Sequence, residues 1–145
     1  ALDVLVEEGF HYSSSLYPVK HDLYGIPDAP RQPFRHTNNG LQEIPITTVS
    51  AVGRNWPCGG GGFFRLYPYS LTRWALNRAV RQLEGPVNFY FHPWELDPAQ
   101  PRQQTASRKS RFRHYLNLER MEPRLNRLLS DFKWGRMDEV YCKRD

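Results

Sequence analysis

Between two prolines, Pro86 and Pro93, the chain alternates Val87-Asn88-Phe89-Tyr90-Phe91-His92, and no other stretch narrows the available folds as much. Val87, Phe89 and Phe91 share one side of an extended backbone and Asn88, Tyr90 and His92 the other, which is the period of a β-strand. Pro93 has no N–H to give to a ladder, so the strand must stop there and leave His92 at its C-terminal end. In architectures built on parallel strands that end is where functional side chains collect. Trp94, Glu95 and Asp97 follow as an apolar wall and two carboxylates. On these residues alone, His92 is either a reacting group or a histidine whose ring satisfies a backbone carbonyl.

The remaining pattern is that of an α/β domain with many breaks. Leu2, Leu5 and Val6 predict an opening helix that ends at Gly9, and Phe10 to Ser15 predicts a short strand. Tyr17 to Arg35 contains Pro18, Gly25, Pro27, Pro30 and Pro33 and is expected as an ordered loop pinned by Tyr17, Tyr24 and Phe34. Leu41 to Val52 is rich in Ile, Thr and Val and predicts a strand, with Glu43 and Pro45 facing away from Ile44 and Ile46. Pro45 assigns that strand to an edge. The run Gly59 to Gly62 lacks the Lys-Ser/Thr of a phosphate-cradling loop, so it is expected to let backbone pass close to a ligand or another strand. Ser70 predicts the cap of a helix from Leu71 to Glu84 whose core face is Leu76, Ala79, Val80 and Leu83. A last helix from about Glu119 to Phe132 buries Leu125, Leu128, Leu129 and Phe132 and tolerates Pro123 only in its first turn.

Charge restricts the partners. The net charge is +5, with sixteen Arg against four Lys, and Arg102 to Arg127 holds eight basic residues against two acidic ones. Such a block serves nucleic acid, an acidic polysaccharide or an acidic surface of the same protein, or else is a solvated helix face. No recognised nucleic-acid motif accompanies it, and the aromatics are not interleaved with the arginines as base-stacking platforms. Cys58 and Cys142 form no metal or disulfide motif, and the five histidines lack the i, i+4 spacing of paired ligands, so no metal site is expected within these residues. No run approaches the ~20 apolar residues of a bilayer span, and no targeting signal is evident. The chain begins on Ala1, within a helical pattern, as if cut from something longer.

Gly9 to Pro18, His21 to Pro27, Gly60 to Arg65, His92 to Pro98 and Arg113-His114-Tyr115, taken in this order, closely resemble the C-terminal part of NodB-type polysaccharide deacetylases, in the bacterial subfamily of exosortase and exopolysaccharide gene clusters. The resemblance runs from Ala1 to about Tyr141. It implies the C-terminal half of a distorted (β/α) barrel with a Pro/Gly-rich insertion at about 17–65, in an enzyme that hydrolyses N-acetyl groups of amino-sugar polymers. It also implies a divalent, zinc-like metal in the full-length parent. The family's aspartate-rich strand end and histidine pair are not in these residues. The chain is therefore expected to hold no metal itself, to be inactive alone, and to need the other half of the barrel. The compartment is left open between bacterial cytoplasm and periplasm.

What the resemblance implies for single residues is uneven. His92 matches the late histidine that protonates the departing amine, and Trp94 would line the acetyl side of the pocket. Glu95 either orients His92 or caps the loop. His21 and Asp22 are expected to contact substrate, or Asp22 serves as an N-cap or in a turn. Arg65 and Tyr67 meet sugar hydroxyls, or Arg65 pairs with a carboxylate at the core's edge. His114 and Tyr115 are expected in a packed helix-loop junction. The rival reading is a basic, non-catalytic module that grips acidic glycan or nucleic acid through Arg102 to Arg127.

Overall fold

Twelve prolines and ten glycines in 145 residues leave few uninterrupted stretches. The computed structural model describes residues 2–22 and 24–142, with strands of only two to four residues. In chain order the elements are helix α1 (Leu2–Glu7), strands β1 (Tyr12–Ser13), β2 (Phe34–Arg35), β3 (Gln42–Glu43), β4 (Thr48–Ala51) and β5 (Arg54–Pro57), helices α2 (Gly61–Leu66) and α3 (Tyr69–Leu83), a 3₁₀ turn Pro93–Leu96, helix α4 (Arg108–Tyr115), a second 3₁₀ turn Leu118–Arg120, and helices α5 (Met121–Asp131) and α6 (Met137–Tyr141). One sheet has the order β1-β3-β2, with β1 parallel and β2 antiparallel to β3. The other is the β4–β5 hairpin, whose two-residue turn places Val52 and Gly53 at φ 52° and 67°, the left-handed pair that matches strand twist. No closed barrel forms among the described residues.

Pro45 divides what the sequence pattern joins. Instead of one edge strand from Leu41 to Val52, β3 and β4 belong to different sheets, and the chain changes direction across Pro45 and Ile46. The Asn88 side chain fastens this corner. Its amide donates to the Pro45 carbonyl at 3.0 Å, and its Oδ1 accepts from the Thr47 N–H at 2.9 Å. The Asn88 N–H in turn donates to Thr47 Oγ1 at 2.8 Å. Glu43 does not face solvent as alternation predicts. It is fully buried, and its carboxylate accepts the N–H groups of Ser15 and Leu16 at 2.7 and 2.9 Å, supplying acceptors where β1 has already ended.

The strand expected from Val87 to His92 is not regular. The segment is extended, but its ladder partner is loop backbone and the pairing is a single parallel bridge, Gly60 to Tyr90. The Tyr90 N–H donates to the Gly59 carbonyl, and the Gly61 N–H donates to the Tyr90 carbonyl, both at 2.9 Å. The alternation still sorts the side chains: Val87, Phe89 and Phe91 pack on the core.

That core is Val49, Cys58, Phe64, Tyr69, Ala75, Leu76, Ala79, Met121 and Leu128, lying between β4, α2, α3 and α5. Helix α3 starts at Tyr69 with Pro68 as its cap, not at Ser70, so Tyr69 and Thr72 join its buried face while Val80 is 37% exposed. In α5 the inward stripe is Met121, Leu125, Leu128 and Phe132. Leu129 lies one position off that stripe and is half exposed, against expectation. Pro123 occupies the first turn, where its missing N–H is harmless. The loop before the last helix contains a further helix, α4, which has almost no apolar face for a periodicity argument to find.

Candidate functional site

Helix α2 and the 3₁₀ turn at Pro93–Leu96 are joined by an ion pair between two side chains that are each 2% exposed. Arg65 Nε donates to Glu95 Oε1 at 3.0 Å, and the other Arg65 nitrogens donate to the carbonyls of His114, Leu116 and Arg113 at 3.0, 2.7 and 3.4 Å. The second Glu95 oxygen accepts the His92 N–H at 2.8 Å. A Cβ on Gly61 would run into the Glu95 carboxylate, so glycine is required where α2 meets the turn. Gly59 likewise brings the chain against the Asn88 carbonyl and Thr47. The glycine run thus allows close backbone approach, here to other protein segments.

This scaffold places the candidate residues in three positions. Arg65 and Glu95 lie beneath the surface and use their polar groups on each other and on backbone, so neither is open to a sugar. Glu95 holds His92 by its backbone N–H. Above them, His92 is exposed, its ring edge-on to Tyr90 at 5.8 Å and parallel to Trp94 at 5.8 Å. The Glu95 N–H closes the turn on the His92 carbonyl at 2.9 Å. Trp94 is sandwiched further: His114 stacks on it at 4.1 Å and the Arg65 guanidinium lies 5.3 Å from its centre. Burial lowers the His114 pKa, with Arg65 adding to the effect and Glu95 opposing it. His114 Nε2 lies 2.7 Å from Gln100 Oε1.

From His92 an aromatic band continues across the molecule. Tyr90 meets Tyr17, Tyr17 stacks on Tyr24 at 5.9 Å, Tyr24 stacks on His21 at 4.0 Å, and His21 meets Phe63, which packs on Tyr67. His21, Phe63 and Tyr67 line a groove of about 520 Å³ with Lys20, Arg54 and Trp56. Tyr17 is buried, and its hydroxyl has no hydrogen-bond partner among the described residues. Desolvation drives its pKa far above the usual phenol range. Asp22 stands at the rim, clamped by Lys109 Nζ at 2.6 Å and Arg113 at 3.0 Å. These hydrogen bonds hold its carboxyl well below the ordinary range.

His92, Trp94, His21 and Tyr67 therefore lie along one band of rings, Asp22 at its edge, and Arg65 and Glu95 under it. The sequence reading missed Tyr17, Tyr24 and Tyr90 as the links. Each carries the signal of an aromatic inside a Pro/Gly-punctuated loop, where a ring must pack on something to order the chain. Among the described residues no three His, Cys, Asp or Glu side chains converge as metal ligands, so these residues do not fit a metal site. No described helix is long and apolar enough to cross a membrane.

The architecture is that of a mixed α/β domain with a loop-built aromatic face. The chain belongs to the family described as Domain of unknown function (DUF3473), whose model matches residues 14–142. Neither a curated protein nor a solved structure matches the chain at a significant level.

Proposed function

We propose that this domain is the C-terminal portion of a metal-dependent polysaccharide deacetylase, in which His92 gives its proton to the amine nitrogen as the C–N bond of the acetamide breaks. The observation that carries the reading is the presentation of His92: a histidine ring exposed between Tyr90 and Trp94, on a turn fixed from below by the Arg65–Glu95 pair. A general acid needs that combination of access and fixed position. The family's association with C-terminal regions of polysaccharide deacetylases supports the same reading. Tyr24 and Tyr90, exposed rings of the aromatic band, suit a sugar polymer, whose apolar C–H faces pack on rings while its hydroxyls reach a few polar groups. His21, Tyr67 and Trp94 are the residues we assign to substrate.

The divalent metal of such a reaction is assigned to residues outside this chain, in the remaining half of a barrel that these segments would complete, and the chain alone is expected to be inactive. The test is made in the full-length protein, with acetate release from an N-acetylated chitooligosaccharide as the readout. His92→Ala is expected to lower kcat by ~10²–10⁴-fold with metal content unchanged. His92→Gln keeps one hydrogen bond but transfers no proton, and near-normal kcat in that variant would remove His92 from the reaction.

A further inference from the structure

Helix α4 divides its basic residues between two faces. Lys109 and Arg113, four residues apart, pair with Asp22 at the surface. Arg108, Arg111, Phe112 and Tyr115 follow the i, i+3, i+4, i+7 spacing of another face and line a surface cleft of about 430 Å³ together with Arg102 and Leu116. Among the described residues no acidic side chain lines that cleft. Arg108 and Arg111 are exposed and make no ion pair or side-chain hydrogen bond among the described residues. Arg102 is drawn back over the Tyr115 ring, 4.6 Å from its centre. The loop that carries it is pinned there, because Tyr115 donates its hydroxyl to the Pro101 carbonyl at 3.0 Å and accepts the Gln103 N–H at 2.7 Å.

We infer that this cleft binds a carboxylate-bearing polysaccharide, with Arg108 and Arg111 as the carboxylate forks, Arg102 as a pre-positioned third cation and the Phe112 ring as an apolar platform. Three like charges line one concave surface with no acidic side chain among the described residues that line it, and self-repulsion of that kind is relieved by an anionic ligand. All three are arginines, whose planar forks match carboxylates two bonds at a time, while the lysine of the helix is spent on Asp22. Phe112 is 60% exposed and offers a free ring face. Nucleic acid is disfavoured because single strands bind through successive stacking platforms, and the Tyr115 face is already covered by Arg102. The anionic character of the ligand rests on the cleft alone; the choice of a glycan as the polymer rests on the deacetylase reading.

The test uses the full-length protein with polygalacturonate as probe, and with dextran and a single-stranded and a duplex DNA oligonucleotide as comparisons, by titration calorimetry at two salt concentrations. Wild-type protein is expected to bind polygalacturonate, not dextran, and more weakly at high salt. Arg108→Ala/Arg111→Ala is expected to weaken that binding at least ~10-fold, the loss of one or more charge-assisted bonds. Arg111→Lys keeps the charge without the fork and is expected to fall in between. Both variants should retain the wild-type urea midpoint and release acetate from a neutral chitooligosaccharide at the wild-type rate. The inference is overturned if wild-type protein does not bind polygalacturonate, if the double variant binds it equally well, or if either DNA binds more tightly. Absence of acetate release with polyuronate binding intact would count against the deacetylase reading and not against the cleft.

Discussion

Neutralising one member of the Arg65–Glu95 pair is the sharpest test of how this surface is built. Both side chains are 2% exposed and 3.0 Å apart, so water screens neither. Glu95→Gln preserves shape and an acceptor but leaves the Arg65 cation buried against carbonyl groups. Arg65→Met preserves bulk but leaves the Glu95 carboxylate with the His92 N–H, and strips partners from the His114 and Leu116 carbonyls. Breaking a buried pair from one side costs about 3–5 kcal/mol, a large part of the ~5–15 kcal/mol available to a domain. With a urea slope of roughly 1–3 kcal/mol/M, the midpoint should fall by about 2 M in each single variant. Arg65→Met/Glu95→Gln has no uncompensated charge and should be less unstable than the sum of the singles by about 2 kcal/mol, within the usual range for groups in contact. Urea unfolding followed by circular dichroism measures all four corners of the cycle. Single variants that each cost less than ~1 kcal/mol would mean that the pair behaves as an exposed one and would refute the reasoning. So would additive costs. Residues that bound sugar would instead lose affinity at unchanged stability.

Neighbouring glycines should respond in opposite ways: Gly61→Ala, whose Cβ would meet the Glu95 carboxylate, should lose ~1–3 kcal/mol, whereas Gly62→Ala, with nothing within 4 Å, should be neutral or stabilising in urea unfolding. Burial lowers the His114 pKa from 6.5, so the unfolded chain takes up a proton before the native state does, and stability should fall as pH drops below that value. His114→Gln should flatten the stability–pH profile between about pH 7 and 5; an unchanged slope would assign it to other groups. The Cys58 thiol, buried and pushed up to about 12 by desolvation, should resist iodoacetamide under native conditions while half-buried Cys142 reacts, as read by peptide mass spectrometry. Equal labelling would show that the core opens on the labelling timescale.

Side-chain alternation and helical spacing were legible where burial follows a local period. Phe89 and Phe91, Leu76 and Ala79, and Leu128 point inward as their spacing requires. What the spacing of residues 87–92 could not convey is that their hydrogen-bond partners are the glycine run and Thr47 rather than a strand, because pairing depends on chain distant in sequence. Glu43 was unreadable for a related reason: a carboxylate is placed in solvent by any local rule, and only the arrival of two unpaired N–H groups from Ser15 and Leu16 makes it a buried acceptor. Helix α4 escaped notice because six of its eight residues are Arg, Lys, Ser or His, leaving no stripe to recognise. In the candidate site His92 and Trp94 stood out as single residues, whereas the tyrosines that connect them to His21 became visible only as ring contacts.

A surface made of loops normally holds its side chains less firmly than one made of strands and helices. Here three devices replace the missing sheet beneath His92. The Asn88 side chain closes the corner at Pro45, the Gly60–Tyr90 bridge fixes the extended segment, and the Arg65–Glu95 pair ties the following turn to α2 and to the end of α4. All three act on backbone on either side of residue 92, leaving its ring exposed between Tyr90 and Trp94. Rigidity and access are thereby separated: polar residues that resemble substrate ligands in the sequence supply the rigidity from below, and the aromatic neighbours define the open face.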